Sequence, residues 1–156
     1  HSYFDGEADV NLTGPLQPQT VFADNLPILV RGLTGEWLTP GQTAPIKLIP
    51  QALHTRMQHR EPEALDVTIH REQTSVSVTV PAGTFDARIW RIANGSQSIS
   101  EFWVETAPPH RLLKWTAADG GTGMLTGTTR MKYWNKAREG DEQLRESLGL
   151  NVGSTP

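Results

Sequence analysis

The chain contains no cysteine. That absence removes disulfides, thiol nucleophiles and thiolate metal sites together. It leaves the compartment open, because cysteine-free chains suit an oxidising compartment and a reducing one alike. Long apolar runs are missing as well. The richest stretch, Leu26 to Leu33, is interrupted by Arg31 and falls far short of the roughly 18 residues that a membrane-spanning helix needs. No charge of one sign dominates: 14 Lys and Arg stand against 17 Asp and Glu, a net charge of -3. A nucleic-acid binder shows a basic excess gathered on one face, whereas these cations are scattered and matched by acids, so nucleic acid is excluded as a partner. No period of about 20–50 residues repeats, which excludes propellers and solenoids.

The chain has 156 residues, a length that suits one β-rich domain over 1–156. With 37% apolar and 20% charged residues, it can build a core that buries about 70% of its unfolded surface without covalent staples. It opens on His1 rather than Met, which reads as a processed or trimmed terminus at which a signal peptide would be invisible.

Eleven prolines and fourteen glycines break the chain at short intervals, the rhythm of strands joined by turns. Ser2-Tyr3-Phe4 and Val10 to Leu12 read as short strands around the Asp5-Gly6 turn. Asp24 to Gly32 reads as a short helix, capped by Asp24 or Asn25, with Pro27 in its first turn, an apolar stripe of Ile28, Leu29 and Leu33, and Gly32 as its stop. Alternation then predicts strands around Ile46 and Leu48, over Leu53 to Arg60, over Leu65 to His70 and over Ser75 to Val80. Further strands are predicted over Ala87 to Ala93, Ser98 to Thr106, Arg111 to Thr116 and Met124 to Trp134, with Asn94-Gly95 as a hairpin signal. A polar helix over Ala137 to Leu148 and a frayed end make a tail over 137–156. The expectation is a mainly β fold of seven to nine strands: a curved antiparallel sheet forming a barrel or half-barrel, with one or two short helices.

Residues that carry chemistry are few. His54, His59 and His70 lie close together in sequence. If all three sit on strands, His54 and His59 point to opposite faces, because their spacing is odd. His54 and His70 then share the polar face of neighbouring strands, where Asp66 completes a weak zinc set; a solvated polar face is the plainer reading. No Gly-x-Ser-x-Gly elbow is present. Glu101 and Glu105 share one strand face with Trp103 between them, a spacing compatible with paired-carboxylate chemistry and equally with exposure. Gly120-Gly121-Thr122-Gly123 lacks the Lys and helix of a phosphate loop and reads as a hairpin turn. No motif asks for a cofactor, and none is expected. The late tryptophans are the most suggestive feature. Trp90, Trp103, Trp115 and Trp134 each fall on a different predicted strand, with Arg88 beside Trp90. Together they are the predicted ligand-binding residues, with core packing as the alternative.

Val80-Pro81-Ala82-Gly83-Thr84-Phe85-Asp86, then Glu101-Phe102-Trp103-Val104, then Pro109-His110-Arg111-Leu112-Leu113-Lys114 resemble a pattern in a family of exported bacterial proteins of unknown function. The Asp24-Asn25-Leu26-Pro27 segment resembles that family's short helix, and the likeness runs over about residues 20–134. It implies a periplasmic or outer-membrane-associated domain with a curved antiparallel sheet, similar in outline to lipoprotein-carrier half-barrels. It carries over no catalytic residue. Family members have more strand upstream, so the likeness also implies a chain that starts partway through the usual domain.

Three functions follow as expectations, in this order. The first is non-catalytic binding of a lipid, a lipoprotein acyl chain or another apolar small molecule on a concave sheet face. The second is a structural or interaction domain of an envelope assembly, with a homo-oligomer or an envelope protein as partner across an open edge. The third is a hydrolase or lyase on an envelope polymer, using His54, His70, Asp66 and the Glu101/Glu105 pair.

Overall fold

The computed structural model describes residues 16–57, 59, 63–117, 120–136 and 138–150; the predicted strands at Ser2–Phe4 and Val10–Leu12 lie outside them. The chain forms a seven-stranded half-barrel in the order β1 (Thr20–Phe22), β2 (Thr43–Ile49), β3 (Leu65–Val80), β4 (Gly83–Asn94), β5 (Gln97–Glu105), β6 (Leu112–Ala117) and β7 (Thr122–Met124). From β2 onwards every neighbour is antiparallel. The sheet is nevertheless mixed, because β1 runs parallel to β2. A parallel pair needs a crossover longer than a hairpin turn. Residues 23–42 supply it, and they carry α1 (Leu26–Leu29). Among the described residues no helix is long and apolar enough to cross a membrane.

Helix α1 is shorter than the sequence suggests. A 3-10 turn, Ala23–Asn25, precedes it, and Asn25 sits at the cap position without a side-chain bond to the helix amides. Pro27 lies in the first turn as expected, and Gly32 takes φ +69 just beyond. The buried stripe is Leu26 and Val30, an i, i+4 pair, while Ile28 and Leu33 face outward. Such a short helix persists because that stripe is pressed into the sheet.

Leu53 to Arg60 corrects the predicted pattern. Ala52–Met57 is a helix, α2, not a strand. Its Ala, Leu, Arg and Met are good helix formers. Leu53 and Met57 lie i, i+4 on it and are both exposed, so their spacing fits a helix turn as well as a strand. The predicted strand from Met124 to Trp134 is likewise corrected: β7 ends at Met124, no strand follows over 125–132, and Trp134 belongs to a 3-10 turn, Tyr133–Asn135. The predicted polar helix in the tail is a 3-10 segment, Asp141–Leu148. It lies against Gly127, where a Cβ would meet the Leu148 backbone at 3.0 Å.

The predicted strands 65–70 and 75–80 are one long strand, β3, with a bulge. Arg71 pairs with Trp90 and Ser75 with Arg88, so four steps along β3 oppose two along β4. Two extra residues preserve the face on which each odd-numbered side chain lies. The apolar residues nevertheless change parity across the bulge, from Val67 and Ile69 to Val78 and Val80. The core changes faces with them. On one face Val67, Ile69, Trp90, Ile92, Phe102 and Val104 pack beneath Leu26, Val30 and Leu38. On the other, Val80, Ala87 and Leu113 form a second cluster with Phe85, Trp103 and Leu125. Leu125 is held there by backbone bonds to Leu113 and Ala82.

Gly123 is not the turn residue it resembles. It pairs with Trp115 across β6–β7, and a Cβ would run into the indole that lies over it. Gly123→Ala is therefore expected to push Trp115 outward and red-shift its emission, at a cost of about 1–3 kcal/mol in urea unfolding. Leu113 has no exposed surface. Leu113→Ala is expected to lower stability by about 2–5 kcal/mol; a change below 1 kcal/mol would show that the second cluster contributes little to the fold.

Candidate functional site

One cross-strand row organises the α1 face of the sheet. Arg71 pairs with Trp90, Trp90 with Phe102, Phe102 with Trp115, and Trp115 with Gly123. Paired residues project to the same side of a sheet, so the row sets a guanidinium and three aromatic rings across four strands. The Arg71 guanidinium lies 5.1 Å from the centre of the Trp90 ring, within cation–π range. Trp37, in the loop after α1, stacks on Trp90 with ring centres 6.1 Å apart and planes 20° apart. Arg71 also donates to the Glu36 carboxylate at 2.6 Å and to the Leu38 carbonyl. The loop that carries Trp37 is thereby tied to the sheet.

Beside this stack lies a cleft of about 240 Å³ between α1 and strands β3 to β5. Its walls include Trp37, Trp90, Arg31, Arg71, Arg88 and the His110 loop. Arg88 pairs with Ser75 and Val104, two residues along β4 from Trp90 and on the same face. Arg31 reaches across from the end of α1 and donates from Nε to the His110 carbonyl at 2.7 Å. His110, at φ +56, is held in the rim by contact of its Nδ1 with the Glu105 carbonyl at 3.1 Å. The Nε atoms of Arg71 and Arg88 are buried and have no hydrogen-bond partner among the described residues.

Three guanidinium groups thus line the cleft. Two carboxylate residues border it, and both are engaged. Glu36 pairs with Arg71. Glu105 is only 7% exposed and takes a bidentate grip from Arg111, Nε to Oε2 at 2.7 Å and Nη2 to Oε1 at 2.6 Å. The Arg111 guanidinium sits 4.7 Å from the Phe85 ring centre, on the face away from α1. The Arg111 hydrogen bonds hold the Glu105 carboxyl below its ordinary range, against burial, which pushes the other way.

The predicted ligand residues are distributed unevenly. Trp90 and Arg88 line the cleft. Trp103 lies on the opposite face, where the Lys114 ammonium sits 4.6 Å from its ring centre. Trp115 is on the cleft face but two strands beyond Trp90. Trp134 is 66% exposed and meets Tyr133 edge-on at 5.4 Å. The weak metal set does not share neighbouring strands, because His54 is on α2 and His70 on β3. His70 Nδ1 meets Thr43 Oγ1 at 2.8 Å, and Asp66 accepts from Lys47 at 2.7 Å. Glu101 is bonded to Arg91 at 2.9 Å.

Trp37, Arg31 and Arg71 are the site residues that sequence reasoning passed over. One signal was available for Arg31: it is the single charge inside the richest apolar stretch. Arg71 falls between the predicted strands Leu65 to His70 and Ser75 to Val80.

The Glu105–Arg111 pair predicts a pH dependence. The folded carboxyl titrates below the unfolded value of 4.5. Its stabilisation is therefore complete above about pH 4.5 and is lost as pH falls through the lowered folded value. Glu105→Gln is expected to lower the Tm at pH 7 by roughly 4–8 °C and to flatten the fall in Tm below pH 4.5. An unchanged acid limb would show that other carboxylates govern it.

Comparison with family models, with curated proteins and with solved structures matches nothing to this chain, so the reading of the site rests on its own geometry.

Proposed function

We propose that this chain is a non-catalytic binding domain of the bacterial cell envelope, and that the cleft beside Trp37 and Trp90 seats a small amphipathic molecule or one end of a lipid. The observation that carries the reading is the cleft, open beside a stacked indole pair. Ligand sites are concave and furnished with a few placed polar groups; here the half-buried Trp37 indole and three guanidinium groups line the cleft. The envelope location follows from the family resemblance of residues 20–134.

The packing favours a small or partly bound ligand over a swallowed acyl chain. Leu26, Val30 and Leu38 already cover the apolar face. About 240 Å³ lies just under the usual range of small-molecule sites, roughly 300–1,000 Å³. Binding is favoured over catalysis because Arg111 holds the buried Glu105 carboxyl below its ordinary range, whereas a general base must be able to accept a proton near the operating pH.

The test is a tryptophan-emission titration of the purified chain with octyl-chain amphiphiles. The expected result is a saturable change that Trp37→Ala abolishes while the far-ultraviolet circular dichroism stays unchanged. A flat titration with every amphiphile rejects the proposal.

A further inference from the structure

We infer that the ligand of this cleft carries an oxyanion, a carboxylate or a phosphate, and that Arg88 is its principal contact, with Arg71 and Arg31 beside it. The inference rests on the binding reading above and names the chemistry of the ligand.

The charge balance of the cleft is the first argument. Arg31, Arg71 and Arg88 line it, and one acid, Glu36, answers one of them, Arg71. Arg31 bonds only carbonyl oxygens, those of His110 and Pro109. Arg88 has no ion-pair or hydrogen-bond partner among the described residues. Two half-buried guanidinium groups without an acid partner among the described residues leave the cleft with a standing positive potential.

The form of the guanidinium groups is the second argument. The Nε atoms of Arg71 and Arg88 are buried, so a ligand would meet the outer nitrogens of each fork. Guanidinium forks match the oxygen spacing of a carboxylate or phosphate, and such charge-assisted bonds are the strong ones.

Rigidity is the third argument. Arg71 is clamped by Trp90, Glu36 and Leu38, and the backbone of Arg88 is fixed on a central strand paired on both sides. A donor held in place before binding, as Arg71 is, loses little entropy when the ligand arrives. The half-buried Trp37 indole, stacked on the buried Trp90, suits the apolar part of the same molecule.

The test uses the full chain at low salt with four probes: octanoate, octyl phosphate, neutral octanol and inorganic phosphate. Affinities are read by calorimetry and tryptophan emission. The two acidic amphiphiles are expected to bind about tenfold or more tightly than octanol. Arg88→Gln is expected to bring the acidic probes down to the affinity of octanol, and Arg88→Lys to restore part of the preference. Should Arg88→Gln fold poorly, the salt dependence of the unmodified chain decides: added sodium chloride weakens the acidic probes and not octanol. Inorganic phosphate binding as tightly as octyl phosphate, and lost with Arg88→Gln, also supports the oxyanion seat and assigns it to a free anion rather than a headgroup. Octanol binding as tightly as the acids, with no effect of Arg88→Gln or salt, overturns the oxyanion inference and leaves the cleft reading standing. No response to any probe overturns both.

Discussion

The contact on which the cleft side of the structure depends is that of the Arg71 guanidinium with Trp90 and the loop after α1. Its backbone matters as much as its side chain: Gly41 donates to the Arg71 carbonyl at 2.8 Å, and the Arg71 amide donates to Gln42 at 3.0 Å. Its side chain lies over Trp90 and binds Glu36 and the Leu38 carbonyl. One residue on the sheet therefore anchors the segment that places Trp37 on Trp90 and closes Leu38 over the apolar face. Arginine suits this position because a planar cation can stack on an indole and still present in-plane donors. A lysine would supply the charge without the stacked plane.

The bulge that begins at Arg71 has a second effect. The apolar positions on β3 change parity across it while the faces do not, so the sheet is packed on one side at one end and on the other side at the other. The half-barrel is therefore covered by two unrelated pieces of chain, the α1 segment and the stretch around Leu125. At the changeover, Arg71 and Arg88 occupy the α1 face beside Trp90, where apolar cover gives out. The cleft lined by cations lies at that changeover.

Much of this was legible. The strands from Leu65 to Thr116, their turns at Pro81-Ala82 and at Gly95, and the short helix at Leu26 follow from alternation, turn residues and Pro27. Ala52–Met57 was not, because over so few residues an apolar i, i+4 spacing satisfies a helix and an alternating strand alike. Trp103 shows the limit of aromatic counting: it lies on the face opposite Trp90, and strand membership alone does not say which face will be covered. Gly123 shows the limit of turn signals, since its role is to leave room for the Trp115 ring across the strand pair.

What the sequence by itself determined is the strand-rich class, the absence of thiol chemistry and of long apolar spans, and the positions at which the chain turns. Each of these follows from local sterics and composition, which act on neighbours along the chain. What only the tertiary structure decided is the parallel edge strand β1, the bulge that joins two predicted strands into β3, and the meeting of Arg31, Arg71 and Arg88 around one cleft. Those depend on strand register, and register is set by which distant side chains find cover rather than by any preference of the residues themselves.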